Sequence, residues 1–300
     1  MSIEQLESIA QAMVAPGKGI IAIDESSGTI KKRFDVVGID NSEENRRAYR
    51  ELLLTAPGLA DHISGAILYD ETLRQSTRAG KPFTEVMHAA GILPGIKVDM
   101  GPQPLAGFPG EVVTEGLDGL RQRLAEYARL GARFAKWRAV IHIGEDTPSS
   151  TCIEANNHAL ARYAALCQEA GLVPVVEPEV LMDGDHDIDV CYEVTEAVLR
   201  SLFASLYEHN VMLEGSILKA SMVIAGKDCD EQATAHLNAM NQLGPHPWPL
   251  SFSYGRAMQQ AALKLWAKDM QGNFAAAQKT VAQRARANGL AALGQWTRGT

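Results

Sequence analysis

The feature that most constrains this chain is a recurrence of element type. Short apolar runs rich in β-branched residues appear at Gly19–Asp24, Ile63–Tyr69, Gly95–Met100, Phe134–Ile141, Val173–Glu179, Leu213–Ser221 and Pro249–Gly255. Their starts lie 44, 32, 39, 39, 40 and 36 residues apart. Helical patterns run between them, among them Glu43–Leu54, Leu117–Leu130, Glu154–Ala170 and Val190–Glu208. Alternation at this spacing predicts repeated βα units and a parallel sheet. The runs are apolar on both faces, as parallel strands covered by helices must be. A closed TIM (β/α)8 barrel needs eight such strands, and only seven are found. After Met222-Val223-Ile224 and Ala225–Cys229 the chain enters the helical pattern Asp230–Leu243 with no strand before Pro249. A doubly wound open α/β sheet is the structural alternative. With 300 residues, 46% of them apolar, one domain over 1–300 with a sizeable core is expected.

Charges inside such runs are costly unless something compensates them. Residues two apart on a strand share a face. The first run ends in Asp24-Glu25, the third carries Lys97, and the fourth carries Lys136 and Arg138. The fifth ends in Glu177 and Glu179, and the sixth carries Lys219. Any one of these could be a charge that has reached solvent at a strand end. Five runs doing so together point instead to groups converging at the C-terminal mouth of a barrel, where catalytic side chains sit.

The residue types suggest a chemistry. A lysine in a partly dry pocket beside a second cation loses its proton more readily, and its neutral amine attacks a ketone carbonyl. Lys219 is the candidate nucleophile and Lys136 the candidate second cation. Dehydration of the resulting carbinolamine needs a proton shuttle, for which Glu177 is suited. Carbon–carbon cleavage needs a base for the alcohol proton, for which Asp24 is suited. At the end of the last run, Ser251-Phe252-Ser253-Tyr254-Gly255-Arg256 leads into a helical pattern. Glycine, a helix N-terminus and the forked donor of Arg256 suit a phosphate, although an ordinary helix start explains the same residues.

Other function classes find little support. The formal net charge is -8 and no long basic block occurs, which argues against nucleic acid or an anionic membrane as partner. No apolar stretch approaches the ~20 residues that span a bilayer. Met1–Leu6 reads as an amphipathic helix and not as a secretion signal, so a cytoplasmic protein is expected. Cys152, Cys167, Cys191 and Cys229 form no CxxC pair and read as free buried thiols. The eight histidines show no HxxxH or HxH grouping, so no metal is expected. Asp183-Gly-Asp185-His-Asp187-Ile-Asp189 has the look of a calcium loop, but its sixth and twelfth positions are wrong in either register, and it reads as an acidic helix cap. Neither a P-loop nor GxGxxG is present, so no nucleotide cofactor is expected.

The chain resembles class I fructose-bisphosphate aldolases over nearly its whole length. The segments that carry the resemblance are GIIAIDESSGTIKKRF from Gly19, ENRRAYRELL from Glu44, GIKVD from Gly95 and FAKWR from Phe134. VPVVEPEVL from Val173, LEGSILKASMV from Leu213 and FSYGRAMQ from Phe252 complete the set. The resemblance implies an eight-stranded barrel, no cofactor, and cleavage of fructose 1,6-bisphosphate to dihydroxyacetone phosphate and glyceraldehyde 3-phosphate. It places Lys219 on the Schiff-base lysine, Glu177 on the acid/base glutamate and Glu179 on its neighbour. It places Asp24 on the first-strand aspartate and Lys136 on the fourth-strand lysine. Lys97, Arg138 and Arg33 fall on positions that bind the distal phosphate, with Ser26 and Thr29 in the loop beside them. Ser253, Gly255 and Arg256 fall on the site of the other phosphate. A homo-oligomer, a tetramer in the family, is implied in the same way.

The chain departs from the family pattern in three places. A βα unit that carries the seventh strand and a serine–glycine–glycine phosphate loop has no counterpart at the junction Lys227–Asp230. Since a barrel short of one strand exposes two unpaired edges or must re-close, an internally incomplete sequence is the favoured account over a seven-stranded variant. Ala220 and Ser221 stand where the family has proline and asparagine, beside the candidate nucleophile. The chain stops at Thr300 without the tyrosine-ended tail of animal members, so turnover or substrate preference is expected to differ. Two rival functions stay open: a Schiff-base aldolase for another sugar phosphate, and a catalytically weak barrel with a binding or scaffold role.

Overall fold

A computed structural model of the protein describes residues 3–226 and 230–298. In chain order the strands are β1 (Gly19–Ile23), β2 (Ile63–Leu68), β3 (Leu93–Lys97), β4 (Gly101–Pro104), β5 (Val112–Glu115), β6 (Phe134–Ile141), β7 (Val173–Val180), β8 (Ile217–Leu218) and β9 (Ser253–Tyr254). All but β4 and β5 take part in parallel pairing, and helices alternate with them along the chain. This is the α/β pattern of a TIM barrel, with seven of the eight strands among the described residues. Its contacts divide it into two compact units. The β1 unit comprises residues 11–96, 130–132 and 230–298, and the β6 unit comprises 3–10, 97–129 and 133–226.

In the β1 unit the pairing order is β3-β2-β1-β9. The last parallel strand therefore pairs with the first, which is the closing contact of a barrel and not the order of a doubly wound sheet. Every residue of β1 and β2 is buried. Gly19 begins β1 for a steric reason. A Cβ built there would lie 2.6 Å from both the ring and the carbonyl oxygen of Phe252, which accepts from Ile20 N at 2.8 Å. Outside these strands, Tyr49 stacks on Trp266 with centroids 5.6 Å apart and meets Phe34 edge-on. The helix carrying Tyr49 spans Glu43–Leu54, as its sequence pattern predicts, and Ser42 caps it by accepting from Asn45 N.

In the β6 unit the order is β6-β7-β8, again parallel. The helix Ser150–Glu169 lies on β6 and β7 and buries Tyr163 against Trp137, centroids 5.5 Å apart. The Tyr163 hydroxyl donates to Ala135 O at 2.7 Å and lies 3.2 Å from Val175 O, so it ties the helix to both strands. The helix Ile188–Glu208 starts on Asp187, whose carboxylate accepts from Val190 N at 2.9 Å. The acidic run is thus a cap, as expected.

Some boundaries differ from the sequence reading. The run Leu213–Ser221 contains a 3-10 turn, Leu213–Gly215, before a strand of only two residues, and Pro249–Gly255 contributes only Ser253–Tyr254. Each is paired on one side only, to β7 and to β1, so the ladder that defines it is short. The antiparallel hairpin β4–β5 was not anticipated. Its turn carries Gly107 and Gly110, both at positive φ, which is the local signal that marks it. Cys152, Cys167 and Cys191 are buried free thiols, and burial pushes the Cys152 thiol up to about 11. Cys229 and most of the junction Lys227–Asp230 lie outside the described residues. No helix among the described residues is long and apolar enough to cross a membrane.

Replacing Tyr163 by phenylalanine keeps the ring and removes the hydroxyl shared by two strands. A loss of about 1–2 kcal/mol is expected, read as a lower urea midpoint with an unchanged slope.

Candidate active site

Register brings the charged residues of the β6 unit together. Arg138 pairs with Glu177 and Val140 with Glu179 across β6 and β7, so Lys136, Arg138, Glu177 and Glu179 project from one face. Val175 pairs with Ile217, and Lys219 N donates to Val176 O at 2.9 Å, which carries the same register one step past β8 to Lys219. The buried Glu177 carboxylate holds two lysines. Lys219 Nζ donates to Oε1, and Lys136 Nζ lies 2.8 Å from Oε2. Burial alone would raise the Glu177 carboxyl, but the two ammonium charges and their hydrogen bonds outweigh it and hold its pKa below the usual range. One carboxylate therefore stands in contact with both lysines.

The same unit holds a second layer of ion pairs. Arg138 pairs with Glu179. Lys97 Nζ donates to Asp99 Oδ1 at 2.5 Å and to Asp99 O at 2.9 Å. Asp99 also accepts from Arg138 N at 3.2 Å and from Gly101 N at 3.1 Å. Asp99 is not among the residues that the sequence pattern marks as site candidates. Its signal was the i, i+2 spacing from Lys97, which puts two charges on one side at the end of a buried strand.

In the β1 unit the chain leaves β1 through Asp24, half-buried, and Glu25, buried. Ser26 caps the helix Ser27–Val37 by accepting from Thr29 N at 3.4 Å, and its Oγ lies 3.2 Å from Thr29 Oγ1. Arg33 on that helix pairs with Glu25 Oε1, and Arg50 Nη2 lies 2.7 Å from Glu25 Oε2. Gln259 Nε2 donates to Glu25 Oε1 at 3.0 Å and to Ala22 O at 2.6 Å. Burial and the nearby Glu25 charge raise the Tyr49 phenol, which stays protonated and donates to Gln259 Oε1 at 3.1 Å. The sequence pattern marks Glu25 only as a strand-end charge and does not mark Arg50 or Gln259 as part of a site. Arg50 was readable as a charge on the buried side of its helix, next to Tyr49; Gln259 left no such trace.

The helix Arg256–Trp266 follows β9 directly, with Gly255 as its N-cap and no side-chain cap on its first N–H groups. A Cβ on Gly255 would lie 3.8 Å from Arg33 Nη2, so Arg33 reaches this turn. Ser253 Oγ is buried and has no hydrogen-bond partner among the described residues. Arg256 is exposed. Uncapped N–H groups, an unpartnered hydroxyl and two guanidiniums make a site suited to an oxyanion. Among the described residues, no group of three or more His, Cys, Asp or Glu could hold a metal ion.

The family model described as fructose-bisphosphate aldolase class-I matches residues 5–234 and 229–300. The chain belongs to the class I fructose-bisphosphate aldolases. It is 69% identical to the probable fructose-bisphosphate aldolase class 1 of Xanthomonas axonopodis pv. citri, over 99% of both chains. It is 49% identical to the cytosolic fructose-bisphosphate aldolase 4 of Arabidopsis thaliana, over 97% of this chain and 84% of that one. Among solved structures, fructose-bisphosphate aldolase from Plasmodium falciparum, in complex with TRAP and a small-molecule inhibitor, superposes with a TM-score of 0.96 at 44% identity. That match covers 99% of this chain and 96% of the other. Class I aldolases are metal-independent carbon–carbon lyases. The Xanthomonas alignment spans 332 positions against 300 residues here, so the two aldolases differ by at least 32 positions lacking a counterpart in this chain. The family match breaks into two pieces that overlap at 229–234, beside the junction where a βα unit was found wanting.

Replacing Glu177 by glutamine leaves two ammonium groups facing a neutral amide, and a loss of roughly 3 kcal/mol is expected. Because the Glu177 pKa is lowered on folding, its contribution is complete above the usual carboxylate value of 4.5 and fades as pH falls through the folded value below it. Denaturant unfolding should therefore show a constant gap between the two proteins above about pH 5.5. The gap should close as the medium is acidified below 4.5. A gap that does not depend on pH would reject the pairing.

Proposed function

We propose that this protein cleaves D-fructose 1,6-bisphosphate reversibly to dihydroxyacetone phosphate and D-glyceraldehyde 3-phosphate through a Schiff base on Lys219. The observation that carries the reading is Glu177, buried and in contact with Lys219 on one oxygen and Lys136 on the other. A carboxylate in that position accepts the lysine proton, and the free amine adds to the ketone carbonyl to give a carbinolamine. Glu177 then returns a proton to the departing hydroxyl, water leaves and the iminium forms. Asp24 takes the proton of the alcohol next to the scissile carbon–carbon bond. The bond's electrons move into the iminium as an enamine, and the aldehyde product departs. Protonation of the enamine and hydrolysis release the second product and restore Lys219. Lys136 keeps the carboxylate ionised, and Glu179 fixes Arg138.

Phosphate recognition is assigned to the remaining basic and hydroxyl residues. Lys97, Arg138 and Arg33, with Ser26 and Thr29 nearby, are assigned to the distal phosphate. Ser253, Gly255 and Arg256 are assigned to the other. The turn at Gly255 supports Arg33 acting there as well, since its guanidinium reaches that turn. No cofactor is required. The reading places the enzyme in the cytoplasm, in glycolysis and gluconeogenesis, as one domain in a homo-tetramer. The unmatched positions of the relatives favour a second reading, a weakly catalytic barrel with a binding or scaffold role, because a phosphate loop would be lost with them. A third reading is an aldolase for another sugar phosphate.

Borohydride reduction in the presence of fructose 1,6-bisphosphate, followed by peptide mass spectrometry, is expected to trap an adduct on Lys219. Lys219→Arg should yield none and lower kcat/KM by roughly a thousandfold or more. An adduct only with other ketose phosphates supports the other aldolase, and no adduct with any supports the scaffold. Activity that survives a chelator is expected on the same reading.

A further inference from the structure

We propose that Gln259, itself oriented by Tyr49, is a positioning residue that holds Arg33 beside the Gly255 turn by way of Glu25. This role rests on the reading of that turn as a phosphate site and not on the chemistry assigned to Lys219.

Arg33 has a long side chain, a quarter exposed, and an untethered arginine samples many rotamers. Its aim depends on what holds it, which here is the buried Glu25 carboxylate. That carboxylate has little freedom of its own. Oε2 lies 2.7 Å from Nη2 of the buried Arg50, and Oε1 takes both Arg33 Nη1 and Gln259 Nε2. Two buried partners thus fix the plane of the carboxylate and set the direction in which it meets Arg33.

Gln259 serves this purpose in only one orientation of its amide. Nε2 donates to Ala22 O at 2.6 Å and to Glu25 Oε1 at 3.0 Å. Turned over, the amide would set its own oxygen against two acceptors, none of which can donate. Tyr49 selects the working orientation, because its hydroxyl donates to Gln259 Oε1 at 3.1 Å. Burial and the Glu25 charge keep that phenol protonated, and the fully buried ring stacks on Trp266. Packing alone would be met by a leucine at 259, where the chain has an amide, 1% exposed, with three polar partners.

The direction of this line leads to the turn. Gln259 lies one turn into the helix Arg256–Trp266, and its backbone N donates to Gly255 O at 3.2 Å. A Cβ on Gly255 would lie 3.8 Å from Arg33 Nη2 and 4.0 Å from Gln259 Nε2, so both side chains border the turn. The helix that offers uncapped N–H groups at Gly255 therefore also carries the residue that steers Arg33 toward them.

The test measures the affinity of the purified protein for inorganic phosphate by calorimetry, alongside KM and kcat for fructose 1,6-bisphosphate. Arg33→Ala sets the full loss. With the amide gone and Arg33 aimed about a tenth of the time, Gln259→Leu is expected to weaken phosphate binding about tenfold. Tyr49→Phe keeps the ring, removes only the hydroxyl and is expected to weaken binding about threefold; it carries the test where Gln259→Leu does not fold. Each substitution should raise KM more than it lowers kcat. The deciding readout is the double substitution. With Arg33→Ala already present, neither Gln259→Leu nor Tyr49→Phe should lower phosphate affinity further. A purely structural role does not depend on Arg33, so losses that add to that of Arg33→Ala overturn the proposal. Phosphate affinity that falls with Arg33→Ala but not with the other two overturns it as well. Phosphate binding indifferent to Arg33→Ala rejects instead the reading of the turn, and the positioning role falls with it.

Discussion

The carboxylate of Glu177, sealed between Lys136 and Lys219, is the interaction on which the β6 unit turns. Three charges from three adjacent strands meet at one point, and none is tolerable there without the others. Removing a carboxylate of this kind from water is repaid only if both oxygens find cations in good geometry, which requires β6, β7 and β8 to hold their register to within one residue. A slip of one residue on β7 would turn Glu177 to the opposite face and leave both lysines uncompensated. The same contact that sets the register also places a proton acceptor against the amine. Stability and chemistry are coupled through one side chain.

The β1 unit solves a similar problem with different parts. Glu25 is flanked by Arg33 and Arg50, and Gln259 is oriented from behind by the protonated Tyr49 hydroxyl. Guanidiniums cannot give up their protons, so this cluster is built to hold charge and not to move it. The β6 unit, with lysines around a carboxylate, can do both.

Much of this was legible because buried parallel strands leave few places for ionisable residues. Lys97, Lys136, Arg138, Glu177, Glu179 and Lys219 stood out against apolar neighbours, and the period of two put the right pairs on one face. Some boundaries of fully paired strands were readable for the same reason: β6 begins and ends where its apolar run does, whereas β3 runs Leu93–Lys97 and not from Gly95 to Met100. Edge strands were not, since β8 and β9 owe their short length to the lack of a second neighbour and not to their own residues. Gln259 escaped because it meets Glu25 across more than two hundred residues of sequence, and a lone glutamine on a helix carries no period of its own. The absent unit was found by counting, a kind of evidence that a local pattern cannot supply.

Arg33 and the Gly255 turn carry one more consequence. In the β6 cluster four cations, Lys97, Lys136, Arg138 and Lys219, face three carboxylates, Asp99, Glu177 and Glu179. In the β1 cluster Arg33 and Arg50 face Glu25. Each is formally one positive charge in excess inside a chain whose net charge is -8. The protein therefore repels anions at long range and collects them at two short-range points, where its own carboxylates run out. Common buffer ions of phosphate or sulfate fit the same points, so the choice of buffer competes with the substrate and, by mass action, raises the apparent thermal stability of the empty enzyme.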